Sequence, residues 1–466
     1  NEADEEIPGT HEDISVFPMA IPMLAGPGAI ASIMLFMNEA EGLGGQLMVF
    51  AGMGANLLLC LGLFLAVGAI MKLIGDTLAA MITRILGVIL AAAIWRFAAG
   101  ADWPQWRGPT RDGILPAKGI MLTKLPDQPK VVWKIKSGEG LSSPVVAGGT
   151  VFHFENRGGK ETMVALSAAD GSEQWATGLA PVFEDGQGPR GPRCTPVIDG
   201  GQVFAQCSRG SLHCLSARNG KVQWELDYAK LGMKFIGEKG RVPGARRHGF
   251  TGAPLVIGGM VYAMVGGKGT GIVCFNRANG ETIWDALDYK PGYPPPIPAT
   301  IAGRQQFVCF FVEGAVGVGV TSGTELWKVS MKTDYGRHVA APVVHGNTVV
   351  VGSHQTGLQG ITISPDGEGF KAKPVWKNIE AQPNITHGVR VGGHYYGIGD
   401  PAKLVCVDIA TGKTAWSDDS LSFPDPKRAM AAFIVMGKNI LSLSSGGELC
   451  LFEASPRGFN ELGRTQ

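Results

Sequence analysis

Hydrophobic and polar positions follow two different patterns along the chain, and the pattern changes near residue 100. Residues 16–37 are 22 consecutive positions without a charge, and residues 47–71 add a further 25. Each run is long enough for a helix that crosses a hydrocarbon core about 30 Å thick. A third run, residues 82–99, is weaker because it includes Arg84 and Arg96. The pattern predicts three transmembrane helices over these ranges.

After residue 100 the pattern changes to short apolar runs with two-residue alternation, separated by turns. A recurring phrase places Gly in a turn and Trp four residues later, as in DGSEQW, NGKVQW, NGETIW, SGTELW and TGKTAW. Repetition of one such unit is typical of repeat architectures. Four short strands per unit with Gly-rich turns predict an all-β propeller of four-stranded blades.

The unit begins seven times, and we therefore expect seven blades. The first residues of these inner strands are Ser142, Cys194, Gly252, Ile297, Ala340, Thr386 and Met430. The fifth copy lacks the usual Gly before Trp376, and the seventh has no Trp. Residues 131–135 resemble the outer strand of an eighth blade whose other strands are missing, so we interpret the chain, which has no initial Met, as a fragment at both ends. The alternative is a ring of seven blades in which residues 460–465 form the last outer strand.

Charge is distributed unevenly between the two regions. Residues 1–101 hold three Lys or Arg against nine Asp or Glu, a net charge of −6, whereas the rest holds 38 against 31, a net charge of +7. Lys72 and Arg84 flank the loop between the second and third spans, which predicts that this loop is cytoplasmic. The helices would then lie in a bacterial inner membrane, with the propeller in the periplasm or at the cell exterior. Nucleic acid is not an expected partner there. Alternatively, residues 81–101 form a signal peptide that is cleaved after Ala101, which would give a secreted or periplasmic protein.

The N-terminal region resembles the MarC-type integral membrane proteins. The resemblance lies in PMAIPMLAGPGAI (residues 18–30) and ITRILGVILAAA (residues 82–93), and it corresponds to the C-terminal three-helix half of that family over about residues 1–100. Prolines and glycines here would break a helix, and the freed backbone groups must be buried in protein or line a cavity. A transporter-like substrate pathway and a kinked packing helix both fit this motif, which comprises Pro18, Pro22, Gly26, Pro27 and Gly28.

Residues 102–466 resemble the pyrroloquinoline-quinone-like (PQQ-like) repeats of quinoprotein alcohol dehydrogenases and of the outer-membrane assembly lipoprotein B. The lead-in DWPQWRGPTRDG (residues 102–113) is similar to the start of a subgroup of secreted bacterial propellers. We expect a linker over residues 101–130 and the propeller over residues 131–466. The repeated indoles are expected to pack between neighbouring blades; they are Trp175, Trp224, Trp284, Trp327, Trp376 and Trp416.

Residues for quinone chemistry are hard to find. The resemblance implies an adjacent cysteine pair over the cofactor ring, and the eight cysteines include no such pair and no CxxC motif. A cation and a base would need acidic side chains in the inner strands, yet Asp199 and Asp400 fall in turns. Buried thiols are expected, with a Cys207–Cys214 bridge as the alternative. PQQ with calcium is expected only if the chain is a dehydrogenase, and no other metal or cofactor is predicted.

Polar residues recur just before the inner strands, where they could converge on one funnel mouth. The candidates for ligand binding are Ser142, Ser143, Arg193, Thr195, Thr251, His338, His387 and Arg428. A basic insertion over residues 234–250 either attracts anions to this mouth or is a solvated loop. Its basic residues are Lys239, Arg241, Arg246, Arg247 and His248.

The sequence favours an extracytoplasmic propeller that is anchored in the lipid bilayer through residues 16–99. We expect a non-catalytic binding or scaffold role toward a protein partner or a small ligand at the funnel. The alternatives are a PQQ-dependent dehydrogenase and a transporter-like function of the MarC-like helices.

Overall fold

A computed structural model of the chain describes residues 102–116, 122–126, 129–185, 188–232, 248–367, 369–399, 401–426 and 429–465. The three expected transmembrane segments and the Pro and Gly motif lie outside these residues, as do Arg428, Asp400 and Cys60. In the described ranges, no helix combines the length and the hydropathy that a membrane span requires.

The described residues form seven four-stranded antiparallel sheets, each made of four strands that are consecutive in the chain. Five of the seven inner strands have only three residues, whereas the second and third strands of the blades have four to ten and are mostly buried. Blades 1 to 4 are β1 (Val145–Ala147), β2 (Thr150–Arg157), β3 (Lys160–Ser167) and β4 (Glu173–Pro181); β5 (Val197–Asp199), β6 (Gln202–Cys207), β7 (Ser211–Ser216) and β8 (Val222–Asp227); β9 (Leu255–Ile257), β10 (Met260–Ala263), β11 (Ile272–Asn276) and β12 (Thr282–Ala286); β13 (Ile297–Ile301), β14 (Arg304–Phe311), β15 (Gly314–Gly319) and β16 (Glu325–Ser330).

The remaining three blades repeat this order, and two short 3-10 helices, Tyr228–Leu231 and Asp334–Gly336, follow blades 2 and 4. All seven expected blade starts lead into an inner strand. Blades 5 to 7 are β17 (Val343–His345), β18 (Thr348–Ser353), β19 (Gly357–Asp366) and β20 (Gly369–Asn378); β21 (Val389–Val391), β22 (His394–Gly399), β23 (Lys403–Asp408) and β24 (Thr414–Asp418); β25 (Ala431–Met436), β26 (Asn439–Ser444), β27 (Leu449–Glu453) and β28 (Glu461–Thr465).

The seventh blade is complete, because β28 pairs with β27 as its outer strand. This arrangement matches the alternative in which residues 460–465 close the seventh blade. Residues 131–135 belong to none of the seven sheets. Trp133 nevertheless donates its indole N–H to Ala168 O (2.9 Å) and packs on Gly171 of blade 1. The segment is therefore held against blade 1 by one side chain.

Tryptophans on the outer strands connect neighbouring blades, as the sequence predicted. Trp175 donates its indole N–H to Ala217 O of the next blade (3.0 Å), and its ring packs on Gly220 in the turn of that blade. Equivalent bonds join Trp224 to Arg277 O (2.9 Å), Trp376 to Ile409 O (2.8 Å) and Trp416 to Ser455 O (2.7 Å). In four of the five phrases the Gly thus receives the Trp of the preceding blade; these are Gly220, Gly280, Gly323 and Gly412.

Trp327 departs from this pattern although its own phrase, SGTELW, is regular. Its indole N–H bonds to Gln306 Oε1 within the same blade (2.5 Å). The next blade offers no tight Gly turn at this place, because β19 and β20 form a long hairpin that turns only at residues 366–369. Trp327 is therefore buried in the core between blades 4 and 5.

The apolar cores lie between adjacent blades, one for each neighbouring pair from blades 1 and 2 to blades 6 and 7. All seven described cysteines are buried and free, so a Cys207–Cys214 bridge is not formed and the expectation of buried thiols is confirmed for them. Burial raises the pKa of these thiols, that of Cys214 to about 11, which keeps them protonated and unreactive near neutral pH.

Candidate functional site

The lead-in peptide, residues 102–115, folds into the centre of the ring, and we call it the plug. Its turns are closed by backbone bonds from Gly108 N to Gln105 O (3.0 Å), Arg111 N to Gly108 O (3.1 Å) and Gly113 N to Arg107 O (3.0 Å). Arg107 and Arg111 adopt left-handed backbone angles, with φ of 59° and 61°. Such angles cost about 1 kcal/mol or more for a residue with a Cβ, so the surrounding contacts must compensate for them.

Backbone hydrogen bonds attach the plug to the inner strands at both ends of the chain of blades. Trp103 exchanges two bonds with Val146 of β1 (2.8 and 2.9 Å), and the Pro104 carbonyl accepts from Ile198 of β5 (2.8 Å). At the other end, Val435 of β25 donates to Gly113 O and accepts from Leu115 N, both at 2.8 Å. The plug therefore bridges blade 7 to blades 1 and 2.

Residues after the plug add to the link between blade 7 and blade 1. Leu122 and Leu125 pack against an apolar cluster of blade 7 that includes Met436 and Leu451, and Asn439 donates to Leu122 O (2.8 Å). Trp133 then binds blade 1. The lead-in thus connects the last blade to the first.

Two plug arginines point their guanidinium groups at other blades. Arg107 donates to Asp112 O (2.9 Å) and to Gly388 O, and it stacks on Trp106 with its central carbon 5.4 Å from the ring centroid. Burial lowers the pKa of Arg107 to about 10, against the opposing effects of Asp112 and Tyr395. Arg107 therefore stays charged near neutral pH.

Arg111 is fully buried and only partly satisfied. Its Nε donates to Gln105 Oε1 (2.8 Å), and its Nη2 donates to Pro254 O just before β9. Its Nη1 is buried without a hydrogen-bond partner. Burial lowers the pKa of Arg111 to about 9, so the group is still charged at neutral pH.

A cavity of about 420 Å³ lies between the plug and the inner strands of blades 4, 5 and 6. Arg107, Arg111 and Arg390 line it together with Asp112, which accepts bonds from Thr110 Oγ1 (2.7 Å) and from Ile114 N (3.0 Å). The rest of the wall consists of residues of β13 and of the segment around β17. Basic side chains therefore outnumber acidic ones in this wall by three to one.

The funnel-mouth candidates do recur at one position of the blades, where they link neighbouring blades. Thr195 Oγ1 accepts from Ser143 N (3.3 Å), and Thr251 Oγ1 donates to Tyr293 O ahead of blade 4 (3.1 Å). His387 Nδ1 accepts from Ala341 N of blade 5 (3.1 Å). Ser142 makes only a long bond to the carbonyl of its neighbour (3.5 Å). Each of the three links satisfies a backbone group at a blade boundary.

The two histidines of the set are packed into the structure. The ring of His338 stacks on Phe310 at 4.2 Å, and burial lowers its pKa to about 4. His387 lies edge-on to Trp106 of the plug at 4.8 Å, and burial, with a smaller effect from Arg107, lowers its pKa to about 3. Both rings are neutral at pH 7, so neither histidine adds positive charge to the centre of the ring.

Asp185, which the sequence analysis missed, joins two predicted residues. It forms an ion pair with Arg193 (3.3 Å) and a hydrogen bond with Nδ1 of His248 (2.6 Å), the last residue of the predicted basic set. Lys239, Arg241, Arg246 and Arg247 lie outside the described residues. Asp199, expected in a turn, lies at the β5–β6 turn and pairs with Arg277. No cluster of three or more potential metal ligands occurs in the part of the chain that the structure describes.

Family comparisons divide the chain at the same place as the hydropathy pattern. Residues 121–234 and 239–418, more than half of the chain, match a family model described as outer membrane protein assembly factor BamB. Residues 1–99 match the model of the MarC family integral membrane proteins.

Curated relatives match about a fifth of the chain, and those that match are UPF0056 membrane proteins. The UPF0056 membrane protein YvbG of Bacillus subtilis is 38% identical over 89 residues, which are 19% of this chain and 42% of that protein. The UPF0056 membrane protein YhcE of Escherichia coli is 30% identical over 92 residues, 20% of this chain and 43% of that protein. The chain thus spans about two fifths of the length of the curated relatives it matches.

Solved structures resemble the propeller. BamB from Moraxella catarrhalis aligns with a TM-score of 0.46 and 15% identity, covering 69% of this chain and 84% of that one. The quinohemoprotein alcohol dehydrogenase from Comamonas testosteroni aligns with a TM-score of 0.41 and 15% identity, covering 80% of this chain and 76% of that one.

Proposed function

Because the chain belongs to the family whose model is described as outer membrane protein assembly factor BamB, we propose that its propeller is a non-catalytic binding or scaffold module. The observation that carries this proposal is the plug. Residues 102–115 occupy the centre of the ring and bond to the inner strands on both sides of the closure. Protein partners are then bound at the surfaces and loops of the blades, and a small ligand is bound beside the plug.

The same observation weighs against the dehydrogenase alternative. A quinone at the ring centre would have to share that space with Trp106, Arg107 and Arg111, which are held there by bonds to other blades. The cysteines that the structure describes are buried singly in strands and loops, with no adjacent pair to lie over a cofactor ring. These side chains and their bonds to other blades therefore occupy space that a cofactor stack would need.

Residues 131–135 support a role in which the propeller binds a further β-strand. Val131 and Val132 are 74% and 72% exposed, and residues 131–135 belong to none of the described sheets. An extended apolar segment of this kind is suited to strand addition. Because Trp133 docks on blade 1 as the outer-strand tryptophans do, we propose that this segment takes the place of an outer strand beside blade 1 and can pair with a further strand.

Loading with quinone tests the non-catalytic role. We expect the purified full-length chain to give neither a stoichiometric bound chromophore nor dye reduction when PQQ, calcium ions and a series of alcohols are added. A quinoprotein dehydrogenase treated in the same way is the positive control. A stoichiometric complex that reduces the dye would overturn the proposal.

We further propose that residues 16–99 anchor the protein in a membrane and leave the propeller outside the cytoplasm. The match of residues 1–99 to an integral membrane family and the positions of Lys72 and Arg84 support this orientation.

Reporter fusions after residue 466 test the orientation in a Gram-negative host. Alkaline phosphatase, which needs an oxidising compartment, is expected to be active, and a fluorescent protein that matures only in the cytoplasm is expected to be dark. The reverse pair of results would place the propeller in the cytoplasm and contradict the proposal.

A further inference from the structure

We propose that the cavity between the plug and blades 4 to 6 binds a small molecule through an oxyanion group, a phosphoryl or a carboxylate. This inference assigns a ligand class to the binding role proposed above and rests on that role. Its basis is the set of three arginines in the cavity wall, Arg107, Arg111 and Arg390.

Charge is the first argument. Arg107, Arg111 and Arg390 line the cavity, whereas Asp112 is its single acidic wall residue, so the wall carries a net charge of +2. The carboxylate of Asp112 already accepts bonds from Thr110 and Ile114, and Arg107 bonds to the backbone carbonyl of Asp112 rather than to its side chain. Among the described residues, none of the three arginines forms an ion pair. A buried cation without a counter-ion is unfavourable, and a bound anion would neutralise it.

Pre-organisation is the second argument. Bonds from Nε to Gln105 and from Nη2 to Pro254 O fix the plane of the Arg111 guanidinium group, while Nη1 has no partner. A guanidinium held in this way loses little entropy when it binds an oxyanion. The left-handed backbone of Arg107 and Arg111 places both side chains on the same short turn.

Size and access are the third argument. A volume of about 420 Å³ lies within the range of small-molecule sites, about 300 to 1,000 Å³. Arg111 forms a fully buried part of the wall, Arg390 is half-buried, and Thr110 and Thr300 are exposed. The cavity thus has a buried cationic end and a solvent-exposed rim with hydroxyl groups that can bond to the rest of a polar ligand.

Titration of the full-length protein with inorganic phosphate and with citrate, at constant ionic strength set with sodium chloride, tests the proposal. We expect saturable binding of at least one of them by calorimetry and a rise in the unfolding temperature. Tighter binding of phosphate would identify a phosphoryl group, and tighter binding of citrate would identify a carboxylate. Absence of saturable binding of both anions would overturn the proposal.

Arg390→Gln is the informative variant, because Arg390 is half-buried and its Nη1 donates to Gly392 O at 3.2 Å, two residues away in the chain. We expect its affinity for the anion to fall at least fivefold while its unfolding temperature without anion stays unchanged. Arg457→Gln makes the same charge change at an exposed position of blade 7 and is the matched control. Equal affinities of the two variants would contradict the assignment.

Arg111→Gln removes the unused donor and is expected to abolish binding if the variant folds. Its folding is not needed for the test, since Arg390→Gln gives an independent result. The quinone assay addresses the non-catalytic role and the anion titration addresses this cavity, so a failure of one is distinguishable from a failure of the other.

Discussion

Gly220→Ala is expected to lower the free energy of unfolding of the propeller by about 2 to 5 kcal/mol. Gly220 has φ of +68°, a left-handed angle that costs an alanine about 1 to 2 kcal/mol. An added Cβ would lie 2.4 Å from the ring of Trp175 and 2.6 Å from Thr177 Oγ1, which forces apart two blades at the cost of overpacking, about 1 to 3 kcal/mol. Urea unfolding followed by tryptophan fluorescence measures the effect.

Gly201→Ala is the matched control, because Gly201 has a similar φ of +77° in the same blade but no atom within 4 Å of the added Cβ. This variant should carry only the backbone cost, about 1 to 2 kcal/mol. If the two variants lost the same stability, the packing of Trp175 on the turn of blade 2 would not contribute, and the inter-blade role of the repeated tryptophans would have to be abandoned.

Acid is expected to destabilise the propeller between pH 6.5 and 4, and His338 is expected to account for about 3 kcal/mol of this loss. Burial lowers the pKa of His338 to about 4 in the folded protein, from 6.5 in the unfolded chain. In this pH window the unfolded chain binds a proton that the folded protein does not. Stability is therefore complete above pH 6.5 and falls as the pH falls toward 4. His387, whose pKa is lowered to about 3, adds to the loss with the same sign.

His338→Gln removes the titrating ring and keeps an N–H donor for Met331 O, which His338 Nε2 contacts at 3.2 Å. We expect the unfolding midpoint of this variant to depend less steeply on pH below 6.5, whatever its stability at pH 7. His345→Gln, at an exposed position at the end of β17, is the control and should keep the acid dependence of the parent protein. An unchanged slope in His338→Gln would show that another group causes the acid loss.

The repeated phrase predicted the blades correctly because each strand and turn depends on nearby residues. It was less informative about where each Trp binds. Blade 5 looks degenerate because no Gly precedes Trp376 in the usual place, yet Trp376 packs on Gly412 of blade 6 like its counterparts. Trp327 has a regular phrase and binds within its own blade. The decisive residue in each case lies in the following repeat, so a single copy of the phrase cannot predict the contact.

The candidate site was predicted only in part. Recurrence singled out Thr195, Thr251 and His387, but it could not indicate that their polar atoms are used in links between blades. The arginine cavity was missed altogether. Its signal was the pair of arginines in WRGPTRDG, which the sequence analysis treated only as a family resemblance.

Alternating apolar residues, Gly turns and repeated tryptophans determined by themselves that residues after about 140 form four-stranded propeller blades, because these features act over a few residues. The tertiary structure decided that β28 completes the seventh blade, that the lead-in bonds to the inner strands of blades 1, 2 and 7, and that Arg107 and Arg111 meet Arg390 in one cavity. Nearly 280 residues separate Arg111 from Arg390 in the chain. Only closure of the ring brings them together, since neither local propensity nor repeat spacing carries information about which side chains meet across its centre.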